Sequence, residues 1–138
     1  MEEIVIHVEA EINLTESEQK VRETIENMFG PMNIQIKPQH KGSILQASTS
    51  NQDAVIKFHN LLQREHIRAA ARAVLLRGMG KNRISFCLNK QVAHAGHVSF
   101  SQETGESPLG PIRVEITTEN PRETINYLTY MTQESRKG

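Results

Sequence analysis

The sequence predicts an α+β fold, a two-layer sandwich in which a mostly antiparallel sheet carries its helices on one face. Strand candidates outnumber helix candidates along the 138 residues. Adjacent strand candidates are joined by links too short for a parallel crossover. Each helix candidate carries one apolar stripe, enough to cover a sheet on one side. The expected order is βα-ββ-αα-βββ-α, with no internal repeat.

Residues 4–12 alternate: Ile4, Ile6, Val8, Ala10 and Ile12 fall on one side, and Val5, His7, Glu9 and Glu11 on the other. A period of two over this length is a strand with one buried face. Thr15 with Glu18 has capping-box spacing and predicts a helix start. Val21, Ile25, Met28 and Phe29 form the stripe of that helix; Gly30 ends it and Pro31 prevents continuation. Asn33–Lys37 and Ser43–Thr49 are short strand candidates around the turn-like Pro38–Gly42. Ser50 and Asp53 repeat the cap spacing before a helix with Val55, Phe58, Leu61 and Leu62. Ile67–Leu76 is rich in Ala and Leu, hence helical, with a break expected near His66 and a stop at Gly78 and Gly80. Arg83–Asn89, Val98–Ser101 and Ile112–Thr117 are three further strands, the last two separated by the polar loop Gln102–Gly110. Asn120-Pro121-Arg122-Glu123 starts the final helix, with Ile125, Leu128 and Met131 on one face. Residues 1–132 are expected to form one domain, and 133–138 a frayed tail.

The totals narrow the class. The apolar fraction of 37% fits a globular chain, and no apolar run is long enough to span a membrane. The start, Met1-Glu2-Glu3, lacks the positive residues and apolar block of a signal peptide. One cysteine, Cys87, permits no internal disulfide. A soluble cytoplasmic protein is the expectation.

Net charge is +0, yet the charges are polarised along the chain. Residues 27–102 hold ten Lys and Arg against Asp53 and Glu65, and the two ends carry the compensating glutamates. The densest stretch, residues 63–83 (QREHIRAAARAVLLRGMGKNR), contains Arg64, Arg68, Arg72, Arg77, Lys81 and Arg83 with only Glu65 opposing them. Arg68 and Arg72 are one turn apart, and Arg64 extends the row if the helix is continuous. Such a row suits an anionic partner; it also suits a solvated face, or neutralisation by acids folded back from the ends. His59, His66, His94 and His97 lie in the same half.

Catalytic motifs are weak. Gly78-Met79-Gly80-Lys81-Asn82 fails the phosphate-loop spacing and leaves a helix rather than opening one. His94-Ala95-Gly96-His97 offers two metal ligands where a zinc site needs three or four, so no metal or cofactor is expected. Cys87 has no activating neighbour in the sequence.

Three segments carry a resemblance: Arg64–Gly78 (REHIRAAARAVLLRG), Phe86–Phe100 (FCLNKQVAHAGHVSF) and Ser107–Ile116 (SPLGPIRVEI). The most specific parts are Leu88-Asn89-Lys90-Gln91, Gly96, Phe100 and Leu109-Gly110-Pro111-Ile112. Together they resemble a family of small archaeal proteins similar in fold to a large-subunit ribosomal protein of the 5S-RNA-binding kind. A related family is described as predicted RNA-binding, exosome-associated subunits. The resemblance covers most of the chain and implies the fold and a lean toward RNA; it carries no activity. Two positions depart from the pattern. Arg68-Ala69-Ala70 stands where family members often carry an acid, and Tyr127-Leu128-Thr129-Tyr130 replaces the usual aromatic–Leu–Ala–Pro ending.

The leading expectation is non-catalytic binding of structured RNA. Arg64, Arg68, Arg72, Arg77, Lys81, Arg83 and Lys90 would contact phosphates, with Asn89 and Gln91 beside them. Two Tyr, four Phe and no Trp leave few stacking platforms, which favours backbone and shape recognition over reading of splayed bases. The alternative is a protein-interaction or assembly subunit, a homodimer or part of a larger RNA-processing assembly, in which acidic ends meet a basic middle. An enzyme using His94 or His97 on a small anion has the least support.

Overall fold

Period-two burial decides the architecture. In β1 (Ile4–Ile12) Ile6, Val8, Ala10 and Ile12 are buried, and His7 and Glu11 are exposed. The computed structural model describes residues 3–101 and 110–130. The other elements are α1 (Glu18–Phe29), β2 (Asn33–Pro38), β3 (Ser43–Thr49), α2 (Gln52–Glu65), α3 (Arg68–Arg77), β4 (Arg83–Asn89), α4 (Lys90–His94), β5 (Phe100–Ser101), β6 (Pro111–Thr118) and α5 (Pro121–Thr129). The strands form one antiparallel sheet in the order β2-β3-β1-β6-β4-β5. The fold is the expected α+β sandwich, with the helices covering one face of the sheet.

Register keeps the two faces apart. Ala47, Val8, Val114 and Phe86 align across β3, β1, β6 and β4 in a buried row. The next row, Gln46, Glu9, Arg113 and Cys87, lies on the open face. A slip of one residue would exchange them, so burial of the first row specifies the pairing. Phe29, Phe58 and Phe86 stack in sequence through the core, with ring centroids 5.0 and 5.8 Å apart, and Phe100 meets Phe86 edge to face at 5.8 Å. This column ties α1 and α2 to β4 and β5.

Helix starts differ from expectation at two places. Ser17, not Thr15, caps α1, its side chain accepting from the Lys20 N–H. The chain turns first at Asn13–Glu16, because Glu16 points inward to Lys90. Asn51, not Ser50, caps α2 by accepting from the Asp53 N–H. The predicted break is present: His66 adopts a left-handed conformation (φ 58°) and separates α2 from α3. The segment after β4 holds a short helix, α4, capped by Asn89, and β5 is only Phe100–Ser101 rather than Val98–Ser101. The expected loop Gln102–Gly110 and the tail 133–138 lie outside the described residues, Gly110 excepted.

Gly78 sets the exit from α3. A Cβ there would lie 1.9 Å from the Ser85 carbonyl oxygen, so no larger residue fits. Gly78 accepts from the Ser85 N–H, and Gly80 donates to the Arg83 carbonyl. The result is a tight turn with Lys81 and Asn82 at its tip, both exposed.

Phe58→Ala removes the centre of the aromatic column and should cost about 3–5 kcal/mol, read as a lower midpoint in chemical denaturation.

Candidate nucleic-acid interface

Helix α3 buries Ala71 and Leu75. With about 100° between successive residues, Arg68 and Arg72 fall on one flank of that buried stripe. Both are half-buried, and this flank faces α5: Arg72 Nη1 donates to Asn126 Oδ1 at 2.9 Å and to Thr129 Oγ1 at 3.2 Å. Nε and Nη2 of Arg72 make no hydrogen bond among the described residues, and neither does the Arg68 side chain. The outward ridge of the helix is Ala69, Ala70 and Ala73, all exposed. Arg77 lies roughly half a turn around the helix from Arg68 and is exposed at its C-terminal end. Arg77 and Lys81 pair with no carboxylate among the described residues.

The remaining predicted residues have other roles. The break at His66 takes Arg64 out of the row. Its guanidinium lies 3.6 Å from Glu65 and donates to the Gly96 carbonyl at 2.9 Å. His97 Nδ1 stands 3.1 Å from the same carboxylate, and this contact, ahead of the others, holds Glu65 below the ordinary carboxylate range. Arg83 approaches Glu115 at 3.5 Å on the sheet's open face. Asn89 caps α4 by accepting from the Val92 N–H at 3.0 Å, and Gln91 is exposed on the first turn. The nine residues therefore do not make one continuous positive face. Arg68 and Arg72 line one flank of α3, Arg77 and Lys81 stand at its far end, and the rest are elsewhere.

Lys90 is the clearest departure. Its side chain has no solvent exposure. The ammonium donates to the Glu11 carbonyl and lies 3.1 Å from Glu16, whose side chain is 8% exposed. It faces inward, toward the end of β1. His94 joins the cluster, with Nε2 3.4 Å from Glu16 and Nδ1 2.6 Å from Thr24 Oγ1. Burial pushes the Glu16 carboxyl up. The Asn13 N–H and the Lys90 ammonium outweigh that and hold it below 4.5. The two histidines offered for catalysis, His94 and His97, are thus both held against carboxylates. Among the described residues no group of His, Cys, Asp and Glu could hold a metal ion.

The open face of the sheet forms a trough of about 770 Å³. Its outward residues include Glu9, Glu11 and Glu115 against Lys37, Arg83 and Arg113, with amides and hydroxyls between them. Equal and interspersed charge produces little net field, so this face does not concentrate phosphate.

Sequence reasoning missed the surface of α5. Tyr127 and Tyr130 are 41% and 48% exposed. Tyr127 stacks on the buried His59 of α2 with centroids 4.6 Å apart, and partial burial raises its hydroxyl above 10.0. Gln63 of α2 donates to the Tyr130 carbonyl. The signal was available: with Ile125 and Leu128 on the core, a residue at 127 falls well off that face.

A family model described as RNA binding matches residues 5–118. A UPF0201 protein of Pyrobaculum calidifontis is 40% identical over 119 residues, covering 86% of this chain and 83% of its own. A UPF0201 protein of Sulfurisphaera tokodaii is 39% identical over 124 residues, 90% of this chain and 86% of its own. The crystal structure of a UPF0201 protein from Methanococcus jannaschii superimposes with a TM-score of 0.81 at 29% identity, covering 91% of this chain and 98% of that one. A DUF54 protein from Methanothermobacter thermautotrophicus, 18% identical with a TM-score of 0.64, shares the fold over 99% of this chain and 98% of its own.

Lys90→Met should lower stability by about 3–5 kcal/mol, because Glu16 is left buried without its cation. Lys90→Met with Glu16→Gln should recover part of that loss. Glu16 titrates lower folded than unfolded, so its contribution is complete above pH 4.5 and disappears as pH falls through its folded value. The double variant should lack this acid limb in denaturation measured against pH.

Proposed function

The chain belongs to the archaeal UPF0201 family, matched by the RNA-binding family model, and from that premise we propose that it binds structured RNA without catalysis. The carrying observation is α3. Four cations, Arg68, Arg72, Arg77 and Lys81, border an exposed ridge of Ala69, Ala70 and Ala73 and meet no carboxylate among the described residues. Small side chains on the ridge let the helix approach a nucleic-acid surface closely. Arg68 and Arg72 along one flank, and Arg77 and Lys81 beyond the end of the ridge, then reach phosphates beside and past the line of approach. Arg presents a planar fork of donors suited to phosphate oxygens, and Asn126 and Thr129 pre-set the Arg72 guanidinium by holding one of its nitrogens. Shape and backbone contacts of this kind suit folded or duplex RNA, whose sequence is hard to read from its grooves.

A second reading, self-assembly, has one observation in its favour: the total charge is zero, whereas most nucleic-acid binders are basic. Sedimentation separates the two, since association of the free protein at low salt with no RNA retained supports assembly.

RNA binding should weaken steeply with salt through counterion release. Arg77→Glu with Lys81→Glu should reduce the slope of log affinity against log salt by about two, with the melting temperature unchanged. An unaltered slope would remove these two residues from the interface.

A further inference from the structure

On the side of α5 away from α3 lies a pocket of about 340 Å³ between α2 and α5. Ile4, Val55, Ile56 and Tyr127 supply its apolar lining, and Gln52 and Glu123 are among its polar residues, with Thr118, Asn120 and Thr124. The walls are apolar although the pocket opens to solvent, and Ile56 and Tyr127 are both substantially exposed. The ring of Tyr127 is fixed in place by its stack on His59. The Gln52 amide and the Glu123 carboxylate make no hydrogen bond among the described residues.

We infer that this pocket takes an unpaired nucleobase of an RNA strand whose phosphates lie on the α3 side of α5. The inference rests on the structured-RNA reading above and names the part of the RNA that reading leaves open. Charge divides the two sides of α5. Arg68 and Arg72 occupy the flank that faces α3, and Arg72 reaches over to Asn126 and Thr129. The pocket side carries Glu123, with the exposed Asp53 next to Gln52, and the exposed Arg122 falls on the α3 side with Asn126 and Thr129. Carboxylates repel phosphate but accept from the exocyclic amine of a base, and a Gln amide both donates to and accepts from a base edge. A flat aromatic wall suits stacking, which every base can supply. A helix with its side chains is about 10 Å across, a width that a short stretch of extended single strand spans. The pocket volume lies within the range of small-molecule sites. The site therefore fits a junction where a duplex meets a single strand: the helical part on α3, the first free base against Tyr127.

The test compares a blunt RNA hairpin with the same hairpin bearing a short single-stranded tail that contains a fluorescent adenine analogue. The wild-type protein should prefer the tailed hairpin by about tenfold, equivalent to about 1.4 kcal/mol, and should quench the analogue on binding. Tyr127→Leu, which keeps an apolar side chain on α5, should abolish preference and quenching and leave the blunt hairpin's affinity unchanged. Gln52→Ala should reduce the preference without affecting blunt binding. Binding of both hairpins with no preference, or a preference that survives in both variants, overturns this inference and leaves the structured-RNA reading standing. Binding of neither hairpin overturns both. Self-association that Tyr127→Leu abolishes, with no tail preference, would instead assign the pocket to an apolar side chain of a second copy and overturn the nucleobase.

Discussion

One constraint organises the molecule: the sheet is covered on a single side. The buried row Ala47, Val8, Val114 and Phe86 demands a complete apolar cover. The helices have to supply it from one direction, so they pack against one another as well as against the strands. α5 is held between α2, through His59 and Gln63, and α3, through Arg72. That crowding sets α5 between a stacked ring pair on its α2 side and a guanidinium on its α3 side. The uncovered side is free to be polar, and its charges cancel among themselves.

The ion pair of Lys90 and Glu16 shows a similar division of labour. Two charges from distant parts of the chain are withdrawn from solvent to hold the end of β1, the turn before α1 and the start of α4. Isolated inside a protein, either charge would be strongly unfavourable. Together, with the Glu11 carbonyl and the Asn13 N–H completing their hydrogen bonds, they fix a junction that apolar packing alone would leave loosely oriented. Asn89, next in line, ends β4 and begins α4 with one side chain. Asn89 and Lys90 thus join β4, α4 and the turn before α1.

Most of the fold was legible because its signals are local. β4 begins and ends where the alternation of Ile84, Phe86 and Leu88 places it, and the buried stripe of α1 is the predicted Val21, Ile25, Met28 and Phe29. The break at His66 was legible as well, although its geometry was not. The site was less so. Whether Lys90 faces water depends on a glutamate 74 residues away, and no local pattern encodes that. A five-residue helix is too short to show a period, so α4 left no signal in the sequence. Tyr127 read as part of an ending motif, because its exposure depends on where α2 lies, and its ring stacks on a histidine from a different helix.

The sheet's borders bear on how this protein lives at high concentration. One outer strand, β5, is two residues long, and the other, β2, finishes in Lys37-Pro38 after only six. An outermost strand normally invites another chain to continue the ladder, and brevity, a lysine and a proline each frustrate that invitation. Among the described residues, growth by strand addition, the first step toward amyloid-like deposits, is thereby disfavoured at both outer strands. Contacts with other macromolecules have to be made through side chains on the helical or open faces, where they can be reversed.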